Sequence, residues 1–378
     1  MKKAVTSVDI HYLVEELSTA LLNARVDDVF ESGERTLVFT YFKSREGKRD
    51  FVVAPFFLCI SKFKRSKPKH PSSFVMQLRK NLKGCFVRGL RQHDFDRIVE
   101  IDFEGKEEKY TLVLEVFSKG NIVLLNEDRT IRGLFEWQKW RDRKLGVKQK
   151  YEYPPSVVNP LTLTDDGLAD IFTSSERDVV RTLAVECGLG GLYAEEVCAR
   201  SGVDKEKPAK SLGKEVETIS KEFGILQKNL ESHQKSPMII FEDDEPIDVI
   251  PFKLKVYEGF DSKEFPNLNE PLDEYFSKKE FTLKKEEFES KYEKETGKLE
   301  RRLSDQETAL RKAREDAEVL KQKGDLLFAR MHEIKPLLAE IKAFRKRKLS
   351  DQEVLAELGK QHSVKSLHKT ELTINLDA

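Results

Sequence analysis

Between Val26 and Trp137 the chain is cut into nine short apolar or alternating runs. They are Val26–Phe30, Arg35–Phe42, Phe51–Ala54, Phe57–Phe63, Cys85–Arg91, Arg97–Phe103, Lys109–Phe117, Asn121–Leu125 and Ile131–Trp137. Runs of that length rich in β-branched and aromatic residues favour strands. The separators Ser32-Gly33, Arg45-Glu46-Gly47, Glu104-Gly105 and Asn126-Glu127-Asp128 have hairpin chemistry. One helix is predicted ahead of them, capped by Thr6 or Ser7, with Val8, Tyr12, Leu13, Leu17, Leu21 and Ala24 at helical spacing. A second interrupts them at Ser72–Leu82, with Phe74, Val75, Leu78 and Leu82 on one face. The fold class is therefore α+β, a helix plus an antiparallel β-sandwich over residues 1–160, closing at Tyr151-Glu152-Tyr153-Pro154-Pro155.

Residues 161–232 turn helical, and Leu183–Ala194 has the form helix, Gly-Leu-Gly turn, helix. In a helix-hairpin-helix, Gly188 and Gly190 would let backbone N–H groups approach a phosphate; an ordinary αα-turn with a C-terminal glycine fits the pattern equally. A β segment at 233–270, including Met238–Phe241 and Ile247–Tyr257, is predicted to rejoin the body. From 271 to 323 the composition shifts to Lys, Glu, Arg and Ala. There Phe288, Tyr292, Leu299, Leu303, Leu310, Ala313, Ala317 and Leu320 keep a weak coiled-coil spacing. Residues 324–378 open a further part, with Leu326–Phe344 helical and an apolar strand-like run at Thr373–Ala378. A lone seam has nothing to bury it, so a continuing natural chain, or a dimer through the unpaired coil, is expected.

Charge sharpens the functional question. Charged residues make up 35% of the chain, against about 25% in average domains. The net charge is zero, yet from Phe51 to His93 there is no Asp or Glu. That stretch holds Lys62, Lys64, Arg65, Lys67, Lys69, Arg79, Lys80, Lys83, Arg88 and Arg91. A second basic cluster comprises Lys139, Arg141, Arg143, Lys144, Lys148 and Lys150, interrupted only by Asp142. Mutual repulsion of this kind is relieved by a polyanion, which points to nucleic acid; a solvated surface is the alternative. The cysteines Cys59, Cys85, Cys187 and Cys198 form no CxxC pair, so neither a zinc site nor a disulfide framework is expected. No phosphate loop, HExxH helix or nucleophile elbow appears, so no cofactor, metal or catalytic residue is predicted. Without a signal peptide or membrane-length apolar run, a cytoplasmic location is expected.

Several segments, in order, resemble the NFACT family of ribosome-associated quality control factors (fibronectin-binding A-like). They are Met76–Gly84, Gln92–Val99, Glu115–Leu124, Tyr151–Pro155, the Gly188–Ala194 hairpin and Lys323–Ala329. The resemblance implies an N-terminal domain like formamidopyrimidine-DNA glycosylase, a helix-hairpin-helix part and a coiled coil, ending before the NFACT-R domain. It implies binding to large ribosomal subunits (and their rRNA) that carry a stalled nascent chain. It also implies recruitment of aminoacyl-tRNA, alanine tRNA foremost, for mRNA-independent C-terminal tailing, with the peptide-bond chemistry left to the ribosome. The family's signature, an aspartate in the first helix plus an Asp-Arg pair, falls on Asp9, Asp96 and Arg97. Arg97 offers a planar fork for phosphate or base, and the aspartates can accept from a ribose or base amino group. On residues alone, Asp9 could equally close a capping box with Thr6, and Asp96-Arg97 could be a surface pair. Lys62, Lys64, Arg65, Lys67, Lys69, Arg79, Lys80 and Arg88 are further candidates to follow a tRNA backbone. Lys119 joins them, although Ser118–Asn121 departs from the Gly-Arg-His-Ser-Asn-like stretch of many relatives. Competing readings are an RNA-binding coiled-coil adaptor without tailing activity, a surface adhesin, which no export signal supports, and a DNA-repair protein. The last has Lys2 and Lys3 where a glycosylase needs its nucleophile and glutamate.

Overall fold

In the computed structural model, helix α1 (Ser7–Leu21) opens on a reciprocal cap. The Asp9 N–H donates to the Thr6 hydroxyl (3.1 Å), and the Thr6 N–H donates to the Asp9 carboxylate (2.7 Å). The structure describes residues 1–33, 35–140, 143–155, 158–359, 364–369 and 371–375, with the side chains at 283–284 and 286–288 also set aside. Arg141, Asp142, the Phe288 side chain and residues 376–378, all part of the sequence predictions, lie outside the described residues. The chain divides into two units, residues 1–284 and 285–378.

In the first unit the nine runs become nine strands: β1 (Arg25–Glu31), β2 (Leu37–Lys43), β3 (Gly47–Ala54), β4 (Phe57–Ser61), β5 (Phe86–Gln92), β6 (Ile98–Glu104), β7 (Lys109–Glu115), β8 (Asn121–Asn126) and β9 (Ile131–Leu134). Helix α2 (Ser73–Leu82) intervenes between β4 and β5. The order is β4-β3-β2-β1-β5-β6-β7-β8-β9, antiparallel throughout. Strands β1 and β5 pair only at Arg25 and Phe86, so the sheet has two halves, which share one core with α1. Alternation decides which side chain goes where. Val99, Ile101, Phe103, Leu112, Leu114, Ile122 and Leu124 enter that core, while Ile98, Val113, Val123 and Leu125 build a second with Ile131, Leu145 and Tyr151.

A small hairpin, β10 (Gln138–Lys139) and β11 (Lys144–Leu145), follows. Helices α3 (Asp165–Ser174) and α4 (Val179–Arg181), a π turn at Thr182–Glu186, then α5 (Gly191–Ser201) and α6 (Glu215–Glu231) come next. Strands β12 (Met238–Glu242), β13 (Glu245–Ile250) and β14 (Asp261–Glu264) form a sheet of order β13-β12-β14. These segments extend the same core, through Phe172, Tyr193, Phe223 and Ile239. Helix α7 (Asn269–Ala329) begins there, with Phe276 stacked on Phe57 at 4.9 Å. From residue 285 it belongs to the second unit and runs on past Lys323, with Tyr292, Leu299, Leu303, Leu310 and Leu320 exposed along it. Helices α8 (Met331–Lys346) and α9 (Asp351–Leu358) and the hairpin β15 (Val364–His368) and β16 (Glu371–Ile374) enclose a separate small core around Leu337, Ile341, Val354 and Leu358.

The glycine turn between α4 and α5 is used for packing. Gly188 and Gly190 both sit at φ 73°. A Cβ on Gly188 would lie 2.1 Å from the Val158 carbonyl oxygen, whereas one on Gly190 would meet nothing within 4 Å. Gly190→Ala should lose about 1–3 kcal/mol from backbone strain alone, since φ 73° with ψ 165° is a region that glycine enters and alanine avoids. Gly188→Ala should lose clearly more, and urea midpoints of the two variants check that order.

Candidate nucleic-acid interface

Between β5 and β6 the chain reverses through Gln92–Arg97. The Asp96 N–H donates to the His93 carbonyl (2.8 Å) and the His93 N–H to that of Ile98 (3.0 Å). Two consecutive residues, Asp94 (φ 40°) and Phe95 (φ 58°), occupy the left-handed region. Asp tolerates it; a Phe there is strained and persists only where its surroundings fix it. Phe95 is buried, with its ring 5.3 Å from that of His11 on α1. The Gln92 amide then donates to both the Ser7 carbonyl in the first turn of α1 and the Asp96 carbonyl, each at 2.9 Å. One side chain thus clasps the corner to the helix start.

Asp96 and Arg97 lie just ahead of β6, so the opposite-face rule for strand neighbours does not bind them. One carboxylate oxygen of Asp96 accepts the Arg97 N–H (2.6 Å). The Arg97 guanidinium, half-buried and 6.0 Å from the Phe117 ring, has no hydrogen-bond or ion-pair partner among the described residues. Its five N–H donors are left without an acceptor among the described residues. The Val116 N–H donates to the Arg97 carbonyl (2.8 Å), which sets the Phe117–Gly120 turn alongside and brings exposed, unpaired Lys119 to the same end of the sheet.

The corner's flank is braced by residues that the sequence did not single out. The His93 ring stacks on Tyr153, with centroids 3.5 Å apart and planes 6° off parallel. The Tyr153 hydroxyl and Arg91 both bond to buried Glu100, and Arg129 reaches it at 2.8 Å. Burial alone would raise the Glu100 carboxyl; the hydrogen bonds from Arg129 and Tyr153 outweigh it and hold the group below the ordinary carboxylate range. His93 and Tyr153 fell inside quoted motifs, but no spacing rule announces that two such distant residues stack.

Half of the predicted cations are already paired within the protein. The acid-free stretch of sequence is not acid-free in space. Lys62 pairs with Glu270 (3.2 Å), Lys67 with Asp28 (2.6 Å), and Arg88 with Glu104 (2.6 Å). Arg79 reaches Asp28 (3.1 Å) and the Val29 carbonyl (2.6 Å). Arg65 is buried against Glu280 (3.0 Å) and Ser277 (2.8 Å) on α7, so it is a structural group rather than a surface cation. Arg88 also stands at the Glu104 end of the sheet, roughly 20 Å along the strands from Arg97, and cannot share its contact. Lys64, Lys69, Lys80 and Lys119 are exposed and without partners among the described residues. In the glycine turn, the Leu189 and Gly190 N–H groups already donate to the carbonyls of Leu183 (3.3 Å) and Ala184 (3.0 Å), which removes both from phosphate binding.

The family model described as the NFACT N-terminal and middle domains matches residues 6–377. The chain belongs to the NFACT family. It is 35% identical over 363 residues to a Methanocaldococcus jannaschii protein named as an archaeal Rqc2 homolog, covering 92% of this chain and 53% of that one. Against human ribosome quality control complex subunit NEMF it is 25% identical over 354 residues, covering 86% and 33%. It therefore spans about half the archaeal relative and a third of the human one. Among solved structures, the N-terminal part of the fibronectin/fibrinogen-binding protein from Streptococcus suis shares the fold. The TM-score is 0.59 at 21% identity, covering 73% of this chain and 100% of that one.

In this NFACT chain Asp9 does not face solvent. It is fully buried, with its carboxylate 2.9 Å from the Lys2 ammonium, which also meets Asp248 (2.9 Å) and the Val249 carbonyl (2.6 Å). Burial opposes charge on both partners and lifts the Asp9 carboxyl; Asp9 and Asp248 nevertheless hold the Lys2 ammonium above its ordinary value. The direct RNA contact predicted for Asp9 is thus replaced by a capping and anchoring role. Its effect on the corner runs through the first turn of α1 and Gln92. Asp9→Ala should cost about 3 kcal/mol or more of stability by breaking a buried pair. Asp96→Ala and Arg97→Ala should stay within about 0.5 kcal/mol. Urea unfolding of the three variants tests the division; an Asp9→Ala protein as stable as the parent would remove it.

Proposed function

We propose that this chain is the RNA-reading part of a ribosome-associated quality control factor, acting in the cytoplasm on large ribosomal subunits that hold a stalled nascent chain. In this reading the Asp96–Arg97 corner grips aminoacyl-tRNA, alanine tRNA foremost, for C-terminal tailing without mRNA, and rRNA meets other parts of the surface. The ribosome supplies the peptide-bond chemistry. The observation that carries it is the Arg97 guanidinium, half out of water with no hydrogen-bond or ion-pair partner among the described residues, next to a strained turn that buried residues hold in place. Such a group satisfies its donors on a phosphate or a base edge. Lys119 adds a charge at the same end, while Lys64, Lys69 and Lys80 remain available for weaker backbone contacts. The human relative is named a ribosome quality control complex subunit and the archaeal one an Rqc2 homolog, and both names support the same role.

A second reading, an adaptor that works through coiled-coil pairing, is favoured by the exposed seam from Tyr292 to Leu320, through which two copies would pair. Titrating tRNA at several salt concentrations separates the two. Arg97→Ala should weaken binding by about 1.5–3 kcal/mol, the worth of hydrogen bonds to a charged group, and lower the salt slope by roughly one phosphate equivalent. Lys67→Ala, whose cation already has Asp28, should leave affinity nearly unchanged. Affinity without salt dependence, or an Arg97→Ala protein that binds and tails as the parent does, would favour the adaptor.

A further inference from the structure

The second basic cluster is not absorbed by this function, and the hairpin that carries it has an unusual surface. The chain contains two tryptophans, and both are on this hairpin and exposed, Trp137 at 58% and Trp140 at 44%. Neither indole N–H has a hydrogen-bond partner among the described residues. The register of β10 and β11 sets Gln138 opposite Leu145 and Lys139 opposite Lys144. Alternation then sorts the side chains. Gln138 turns inward to the Asn121 amide (3.0 Å), and Leu145 is buried in the second core. Trp140 covers the Arg143 guanidinium (5.4 Å), which is itself paired with Glu115. Trp137, Lys139, Lys144 and Gly146 share the outer face. The Trp137 indole nitrogen lies 3.3 Å from where a Cβ on Gly146 would stand, so the ring rests over bare backbone.

Two features of that face are costly in the free protein. Like charges directly opposite one another across a ladder destabilise it, and neither Lys139 nor Lys144 has an anionic partner among the described residues. A large aromatic ring beside them is left in water. Both costs are relieved by one kind of ligand, which carries a flat π-face flanked by phosphates. A protein partner would need an apolar surface wider than one ring and Val147, and an RNA duplex keeps its base faces stacked away. We propose that this outer face is a stacking platform for single-stranded RNA, with Trp137 taking an unstacked base and Lys139 and Lys144 holding the phosphates on either side. The platform is separate from the Arg97 corner and relies on the preceding function only for the class of partner.

Because both tryptophans are on the hairpin, tryptophan emission excited at the red edge, where the nine tyrosines do not absorb, reports on it alone, and Trp140→Phe leaves Trp137 as sole reporter. A twelve-nucleotide oligoadenylate should quench that emission saturably, while a duplex of the same length should not. By anisotropy of labelled oligoadenylate, Trp137→Leu should weaken binding by roughly fivefold to a hundredfold. Lys139→Gln with Lys144→Gln should lower the slope of log affinity against log salt by about 1.4, at ~0.7 per phosphate on a single strand. These two variants remove surface groups only, and unchanged circular dichroism verifies their fold. Arg97→Ala should leave the quench intact, so failure of the corner and failure of the platform are told apart. Unchanged emission at saturating oligoadenylate, equal quenching by duplex, or loss of the quench in Arg97→Ala would each overturn the assignment.

Discussion

An ammonium group taken out of water loses several kcal/mol of hydration, and Lys2 recovers it only because carboxylates from two distant segments converge on it. Asp9 comes from the third position of α1 and Asp248 from β13, each at 2.9 Å. The Tyr257 hydroxyl donates to the second oxygen of Asp248 at 2.6 Å, and the Tyr275 hydroxyl to the Lys2 carbonyl at 3.1 Å. The start of the chain, the first helix and the returning β segment are therefore one electrostatic unit. Since Asp9 fixes where α1 begins, it also fixes the Ser7 carbonyl to which Gln92 is tied. The Asp96–Arg97 corner inherits its position from a buried salt bridge that it never touches. The other Asp9 oxygen is buried without a hydrogen-bond partner among the described residues.

The same principle of pairing across the fold explains the cations. A stretch with ten basic residues and no acid would be unstable as an isolated surface. The chain folds because Asp28, Glu104, Glu270 and Glu280 come from outside the stretch to meet it. Arg65 shows the extreme: it is buried under the first turns of α7 and fastens that helix to the body. Lys64, Lys69, Lys80, Lys119 and Arg97 remain without partners among the described residues, and of these five only Arg97 is partly buried.

Much of this was legible in the chain itself. The nine apolar runs map onto nine strands because alternation and turn residues act locally, over a few residues. The capping box at Thr6 and Asp9 was legible for the same reason. The resemblance to the family singled out Asp96 and Arg97 as candidates. What the sequence could not show were long-range pairings. Lys67 looks like a free cation until Asp28 is brought to it, and Asp9 looks like a surface cap until Lys2 and Asp248 close over it. Gly188 and Gly190 have the same local signature, yet only one of them backs onto the Val158 carbonyl. Each of these depends on which segments become neighbours, and composition carries no record of that.

We propose that the free charge at the Arg97 end of the sheet, not the basic stretch as a whole, meets RNA. Lysine acetylation mapped by mass spectrometry, with and without saturating tRNA, tests it directly. Protection should appear at Lys119, while Lys62 and Lys67, already held by Glu270 and Asp28, should react equally in both states. Protection concentrated on Lys62 and Lys67 with Lys119 unchanged would contradict it.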